Sequence, residues 1–222
     1  MNIGQAILST VLFMLVVTII GLWLVIPPLI DFLLLIPYYS LITNLLIFIV
    51  ILLFVKRYRV KERPLLAPTP PYWYLIAICV GVIFVFAQSP LRVVFEALIG
   101  THPEVVTPTS IKDIPKYFFY IQFIAVSFIV PINEELFFRE FQQQHLHQKY
   151  EPVLVIVVNA LLFGLMHLPL YQWIVGQSND LGRQAFMAFF GGLGQGFIYY
   201  KSKSVGPSIA MHMAWNVTVG LY

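Results

Sequence analysis

The sequence is poor in charged residues and nearly free of cysteine. Only 10% of its 222 residues are Asp, Glu, Lys or Arg, whereas 59% are hydrophobic and the mean hydropathy is +0.85. Soluble domains carry about 25% charged residues, so this composition excludes an ordinary water-soluble fold. The single cysteine, Cys79, excludes an intrachain disulfide and a CxxC metal site, and its position inside an apolar run indicates a packing role.

The sequence also lacks a long polar stretch, a repeat of fixed period and a low-complexity segment. Without a long polar stretch there is no room for a separate soluble domain, so residues 1–222 are expected to form a single membrane domain. The formal net charge is only +3, and the basic residues lie in short segments between apolar runs. This pattern gives no indication of nucleic acid as a partner and makes the lipid bilayer the expected surroundings.

Long apolar runs predict an all-α fold, because a helix of about 20 apolar residues satisfies its own backbone while it crosses a bilayer. The chain has room for a polytopic transmembrane helix bundle of about seven to eight spans. The first run lacks a basic start and is too long for a signal-peptide core, so we interpret it as a retained span. Seven spans are placed at about residues 7–30, 32–55, 72–88, 117–138, 152–170, 184–200 and 205–222.

The segments between and within these spans carry further signals. Residues 64–71 are too rich in proline for a helix and are expected to form an extended connector. The mixed polarity of residues 89–116 suits a lid as well as a simple connector. The glycines at positions 191, 192, 194 and 196 have the small-residue spacing that predicts close helix contact rather than phosphate binding.

Basic residues are densest between the second and third spans, at Lys56, Arg57, Arg59, Lys61 and Arg63. The positive-inside rule places this connection in the cytoplasm, so alternating spans predict a cytoplasmic N terminus and an external C terminus. The compact chain without a targeting signal favours an integral protein of a prokaryotic plasma membrane.

Polar residues inside apolar helices are the candidates for function, because ionisable groups are costly in a bilayer. The first cluster contains Glu134, Glu135 and Arg139, near the end of the fourth span. The spacing of four residues predicts an ion pair between Glu135 and Arg139, while Glu134 is rotated by roughly 100° towards another face. Alternatively, the helix has already left the membrane here, and both acids are solvent-exposed surface residues without a catalytic role.

Two further clusters lie in later spans. His167 follows Phe163 by four residues, and His212 and Asn216 share one face of the last helix. Each cluster alone also fits a core histidine or a hydrogen-bonded contact between helices. Together, a carboxylate, two histidines and an amide supply a base, its partner and oxyanion donors, the set that peptide hydrolysis requires.

The nucleophile of such a hydrolase is expected to be water. There is no GxSxG sequence, and no catalytic motif surrounds Cys79 or the serines near the last spans. Serine and cysteine mechanisms are therefore disfavoured.

The three motifs EExxxR, FxxxH and HxxxN, in this order, resemble the signature of the CAAX protease and bacteriocin-processing family of intramembrane endopeptidases. The resemblance covers about residues 117–220, so the catalytic core is expected at about 117–222. It implies cleavage of a prenylated-protein-like or bacteriocin-type peptide substrate at the membrane. The residues that carry it are Glu134, Glu135, Arg139, Phe163, His167, His212 and Asn216.

The resemblance also implies roles for these residues. Glu134 would be the general base that orients water together with His167. His212 and Asn216 would stabilise the tetrahedral oxyanion. The residues Glu135, Arg139 and Phe163 would support the site without reacting.

A metal ion is not favoured. There is no HExxH helix, and amides such as that of Asn216 are poor zinc ligands. A zinc-dependent version of the same protease remains the alternative, with Glu134, His167 and His212 as ligands.

The predicted spans leave a mismatch in depth. Glu134 lies near the end of its span, whereas His167 lies about 15 residues, or ~22 Å, into the next. A kink near Pro131, a deeper placement of Glu134, or a polar helical hairpin through residues 142–148 would bring them together. We expect the three motifs to converge on one water-accessible cavity that opens towards the cytoplasm.

Two functions outside proteolysis also fit polar residues within apolar helices. Membrane Glu and His residues also mark transporters and proton relays, but the two halves of the chain show no inverted-repeat pattern. A non-catalytic scaffold or immunity protein that binds a membrane partner is the other alternative. The complete motif set favours an active enzyme.

Overall fold

The computed structural model describes residues 1–25, 32–61, 64, 66–99, 116–168 and 182–221. Within these residues the chain forms seven long helices and no strand, which confirms the all-α prediction. The helices are α1 Ile3–Val25, α2 Phe32–Tyr58, α3 Tyr72–Ile99, α4 Lys116–Leu146, α5 Pro152–Met166, α6 Arg183–Ser202 and α7 Val205–Leu221.

Four of the described helices are long and apolar enough to cross a membrane. These segments are Ile3–Ile20, Ser40–Tyr58, Tyr72–Ile99 and Lys116–Leu146. Large apolar side chains such as Leu15, Leu53 and Phe86 are exposed on the outside of α1, α2 and α3, as expected for an integral membrane protein in contact with lipid. Helix α5 is apolar but only 15 residues long, so the structure supports a membrane bundle without fixing the predicted number of spans.

Helix α4 runs to Leu146, well beyond the predicted end of its span at residue 138. It contains two wider π-helical segments, Ala125–Ile129 and Leu136–Gln143. The first lies just before Pro131, whose ring would clash with the backbone of a regular helical turn. The second brings Gln142 and Gln143 into the protein interior, where both are fully buried. The interpretation of this segment as a solvated surface is therefore wrong.

Several other boundaries differ from the sequence prediction. Residues 89–99 continue α3, so the predicted connector from 89 to 116 does not begin at residue 89, and its remainder, 100–115, lies outside the described residues. Helix α5 ends at Met166, whereas residues 26–30 and 169–170 of the predicted spans also fall outside the described part. Cys79 is exposed on α3, so its predicted packing role is wrong.

Glycines allow the closest contact between helices, as predicted. A Cβ atom at Gly192 of α6 would lie 3.2 Å from the Cα atom of Ala160 on α5, and one at Gly196 would lie 3.3 Å from the side chain of Ile156. Gly81 of α3 lies against the Met211 carbonyl of α7 with even less space, and a Cβ atom at Gly194 of α6 would lie 2.7 Å from the Met211 side chain of α7. These contacts bring α5, α6 and α7 close enough for short polar side chains to meet between them.

The connections α2–α3, α4–α5 and α6–α7 lie at one end of the bundle, which we call the basic end. The Val60 backbone N–H donates to Gln144 Oε1 at 3.2 Å, and Thr69 Oγ1 donates to the Ser202 carbonyl at 3.0 Å. These bonds join the connection after α2 to the ends of α4 and α6. The sequence predicts that all three connections share one side of the membrane, and the fold agrees with that grouping.

Candidate active site

Three residues of the predicted set converge in the middle of the bundle. Glu134 Oε2 lies 3.9 Å from His167 Nε2 and 3.8 Å from His212 Nε2, so α4, the residue that follows α5, and α7 each contribute one side chain. The mismatch in depth disappears because α4 continues to Leu146. Glu134 then lies about 18 Å from the α4–α5 turn and His167 about 22 Å, on antiparallel helices. The deeper placement of Glu134 and the polar hairpin are thus the correct explanations.

Glu135 and Arg139 form the predicted ion pair. Arg139 Nε donates to Glu135 Oε2 at 3.0 Å, and both side chains are fully buried. The Arg139 guanidinium also donates to Asn159 Oδ1 on α5 and, at 2.8 Å, to Gln195 Oε1 on α6. Arg139 therefore connects α4, α5 and α6, and a buried charge with this many partners is well compensated.

Glu135 receives two more hydrogen bonds, both from α7. Ser208 Oγ donates to Glu135 Oε2, and His212 Nδ1 lies 3.2 Å from Glu135 Oε1. Ser208 precedes His212 by one helical turn, so one carboxylate orients two residues of the same helix face. Sequence reasoning missed Asn159, Gln195 and Ser208. Their only signal was that they are polar residues within apolar helices.

The hydrogen bonds of the two imidazoles fix how each ring faces Glu134. His167 Nδ1 lies 2.8 Å from the Phe163 carbonyl oxygen, which can only accept, so Nδ1 carries a proton. His212 Nδ1 also carries a proton, because its partner, the Glu135 carboxylate, accepts the hydrogen bond. Both rings therefore present Nε2 towards Glu134, and the Phe163 ring packs beside both, with centroid distances of 4.7 Å and 5.8 Å.

Glu134 Oε2 is buried and has no hydrogen-bond partner among the described residues. Its distances of 3.8 Å and 3.9 Å from the two Nε2 atoms are too long for direct hydrogen bonds. Separations of this size suit polar groups that are bridged by one water molecule. The geometry thus leaves the carboxylate free to act on a small molecule held between it and the histidines.

The cluster forms the boundary between two cavities. The larger cavity has a volume of about 730 Å³ and is lined by Glu134, His167, His212 and Asn216, among others. The smaller, of about 330 Å³, lies on the side of α1 and α2 and shares Glu134 and His167 with the larger one. The predicted access of water to this space and its opening towards the cytoplasm stay predictions.

Asn216 belongs to the same cavity wall but makes a structural hydrogen bond. Its Nδ2 donates to the Val126 carbonyl of the first π-helical segment at 2.9 Å. This bond joins α7 to α4 one turn beyond His212. An asparagine amide nitrogen carries a second hydrogen, so the bond to Val126 and a contact with a bound molecule are compatible.

The donor types at the site suit zinc, but their spacing does not. Two imidazoles and a carboxylate are zinc ligands, and Nδ1 of each ring is held by an oxygen atom as in many zinc sites. Tetrahedral zinc sets its ligands about 3.4 Å apart, whereas the observed separations from Glu134 are 3.8 Å and 3.9 Å. No group of three or more His, Cys, Asp or Glu side chains in the described part of the chain is arranged to hold a metal ion.

Comparison with known proteins agrees with the motif analysis. Residues 116–218 match the family model described as Type II CAAX prenyl endopeptidase Rce1-like, which confirms the resemblance stated from the motifs. The match begins with α4, ends within α7 and contains all three motifs. No curated protein and no solved structure matches the chain.

Proposed function

With residues 116–218 identified as a match to the type II CAAX prenyl endopeptidase family, we propose that the protein is an intramembrane endopeptidase that uses Glu134 to activate water. The observation that carries this proposal is the buried Glu134 Oε2 atom, which faces two imidazole nitrogens at 3.8 Å and 3.9 Å on the wall of a cavity. The substrate is a membrane-associated peptide or lipidated protein, and the bond that is hydrolysed is a peptide bond.

Glu134 and His167 position the nucleophile. A water molecule that donates one hydrogen to Glu134 Oε2 and the other to His167 Nε2 directs a lone pair towards a substrate carbonyl in the larger cavity. As the water oxygen attacks the carbonyl carbon, Glu134 takes its proton. Collapse of the tetrahedral intermediate breaks the C–N bond, and the same proton passes to the leaving amine.

His212 and Asn216 stabilise the negative charge that develops on the carbonyl oxygen. Because His212 Nδ1–H is held by Glu135, the ring donates from Nε2 only when it is doubly protonated. In this role the ring donates to Glu135 from Nδ1 and to the oxyanion from Nε2. The second amide hydrogen of Asn216 is the other donor, and each such donor lowers the barrier by about 2.7–4 kcal/mol.

Phe163 and the buried Glu135–Arg139 pair keep this arrangement rigid. Phe163 packs against both imidazoles and lies under the Arg139 guanidinium, 5.2 Å from the ring centroid. Rigid support matters because displacement of a catalytic group by about 1 Å can lower the rate about a hundredfold. These residues position the reacting groups and do not touch the substrate.

The orientation in the membrane belongs to the same proposal. All seven helices cross the bilayer, the basic end and the N terminus are cytoplasmic, and the membrane is a prokaryotic plasma membrane. The support is the shared location of Arg59, Lys149 and Lys203 at the basic end of the bundle.

Cleavage of quenched fluorescent peptides, some prenylated and some only hydrophobic, by detergent-purified protein tests the proposal. We expect wild-type protein to cleave at least one of these peptides and Glu134→Gln to have lost at least about 10²-fold in rate. Glu96→Gln is the matched control, because Glu96 pairs with Arg92 on α3, away from the cluster. Near-normal cleavage by Glu134→Gln would refute the assignment, and cleavage by none of the proteins would favour the non-catalytic scaffold.

A further inference from the structure

A third pocket, separate from the proposed active site, lies at the basic end of the bundle. Its volume is about 400 Å³, and it is formed by the end of α4, the α4–α5 turn, the connection after α2 and the α6–α7 junction. Gln144 on its wall is about 15 Å along α4 from Glu134. Its wall includes Val60, Gln144, Glu151, Tyr200 and Lys203.

Gln144, which lines this pocket, carries a buried hydrogen-bond donor. Its Oε1 accepts from the Val60 backbone N–H at 3.2 Å, and because a backbone N–H only donates, this bond fixes which end of the amide is oxygen. Nε2 therefore points elsewhere as a donor. The residue is only 6% exposed, and Nε2 has no hydrogen-bond partner among the described residues. A buried donor without an acceptor is costly, so an acceptor from a bound molecule would stabilise the fold.

One lysine and one glutamate line the pocket, and basic residues are in excess over the whole end of the bundle around it. Lys203 lines it, in a left-handed conformation that ends α6, with Nζ 3.9 Å from the centroid of the Tyr200 ring. Two acidic residues with described positions lie nearby, Glu151 on the wall and Glu140, which is 3.8 Å from Arg59. The described basic residues of this end outnumber them: Lys56, Arg57, Arg59, Lys61, Lys149, Lys201 and Lys203.

In the orientation proposed above, the pocket also lies near the level where the membrane meets water. Aromatic residues with a polar edge collect at the basic end, at the end of α2, the start of α3 and the end of α6, as in the aromatic belts of membrane proteins. These residues are Tyr58, Tyr72, Trp73, Tyr74, Tyr150 and Tyr200. Lipid phosphate groups lie at this depth, and basic pockets between helices on this side of a membrane suit anionic headgroups.

We propose that this pocket binds the phosphate group of an anionic ligand, either a lipid headgroup or free phosphate, with Gln144 Nε2 and Lys203 Nζ as donors. The ion pair with Lys203 and the hydrogen bond from Gln144 are charge-assisted contacts of the kind that phosphate oxygens form. The site is independent of the proposed peptidase chemistry, so its test needs no substrate.

The test measures binding of three probes to the full-length protein in detergent by calorimetry. The probes are dioctanoyl phosphatidylglycerol, dioctanoyl phosphatidylcholine and inorganic phosphate. We expect phosphatidylglycerol to bind at least about tenfold more tightly than phosphatidylcholine, and Lys203→Gln to weaken it about tenfold. Gln144→Glu should weaken it as much, because it keeps an acceptor for Val60 and replaces the donor by a negative charge. Lys116→Gln, which changes the net charge equally at the other end of the bundle, should bind like wild type.

Each outcome decides a part of the proposal. Saturable binding of phosphatidylglycerol but not of phosphate assigns the site to a lipid headgroup, whereas binding of both, with the same dependence on Lys203, assigns it to phosphate in general. Equal binding of the two lipids, binding of neither phosphatidylglycerol nor phosphate, or unchanged binding by Lys203→Gln would overturn it. Lys203 is exposed, so that variant folds even if Gln144→Glu does not.

Discussion

His212 Nδ1 lies 3.2 Å from Glu135 Oε1, while Nε2 of the same ring lies 3.8 Å from Glu134 Oε2. Two adjacent acids on α4 thus contact opposite edges of one imidazole on α7. Glu135 also accepts from Arg139 and Ser208, whereas Glu134 Oε2 has no such partner among the described residues. Replacing the two acids should therefore have different effects on the stability of the fold.

The Glu135→Gln variant should be less stable than the wild-type protein. A glutamine amide cannot accept from Arg139, Ser208 and His212 together, and the buried Arg139 charge is left uncompensated, which costs about 3–5 kcal/mol. Thermal unfolding in detergent, followed by circular dichroism, measures this loss. The double variant Glu135→Gln with Arg139→Gln removes both charges and should recover part of the stability. A Glu135→Gln protein that melts like wild type would show that the ion pair does not support the fold.

The Glu134→Gln variant should keep its stability but lose its activity. The same chemical change one residue earlier breaks no direct hydrogen bond to Oε2, so the melting temperature should be unchanged or higher, because burying a neutral amide costs less than burying a charge. Peptide hydrolysis should nevertheless fall by about 10²–10⁴-fold, the usual contribution of a general base. Stability and rate are measured on the same preparation. A fall in stability as large as that of Glu135→Gln would mean that Glu134 is structural.

The helical fold and the motif residues could be predicted because their signals are local. Apolar runs mark the helices, and spacings of four residues mark the pair Glu135–Arg139 and the shared face of His212 and Asn216. The end of α4 was not predictable from these signals. Gln142 and Gln143 follow the apolar run and read as a polar connection in the sequence, yet both are fully buried.

The partners of these glutamines lie far away in the sequence. Gln142 Nε2 donates to the Ala6 carbonyl at 3.0 Å and to Thr10 Oγ1 at 2.8 Å on α1, and Gln143 Nε2 donates to the Gly196 carbonyl at 2.8 Å on α6. Hydrogen bonds between distant segments make polar residues acceptable in the interior, and no local pattern reveals them. Asn159, Gln195 and Ser208 were missed for the same reason.

Asn216→Ala should lower kcat and leave KM nearly unchanged, because an oxyanion donor acts mainly in the transition state. The expected loss in kcat is about 10²–10³-fold. Thr218→Ala is a control on the same helix, since Thr218 Oγ1 donates back to the Ala214 carbonyl of its own helix at 2.7 Å. The measurement is a full rate-against-concentration curve for a cleaved peptide. A rise in KM at constant kcat would show instead that Asn216 binds the ground state or only holds α7 against Val126.

Metal chelation separates the two versions of the mechanism. The Nε2 atoms of His167 and His212 lie 3.9 Å and 3.8 Å from Glu134 Oε2, farther apart than the about 3.4 Å that tetrahedral zinc imposes. In the metal-free mechanism no step depends on an ion, so millimolar 1,10-phenanthroline should leave the cleavage rate unchanged. A soluble zinc protease assayed in the same detergent should lose its activity and so prove that the chelator acts there. Metal analysis of the purified protein should find less than one zinc per ten chains. If chelation abolished cleavage and added zinc restored it, the three side chains would have to move inward by roughly half an ångström to become ligands, and Glu134 would bind the metal instead of taking the proton from water.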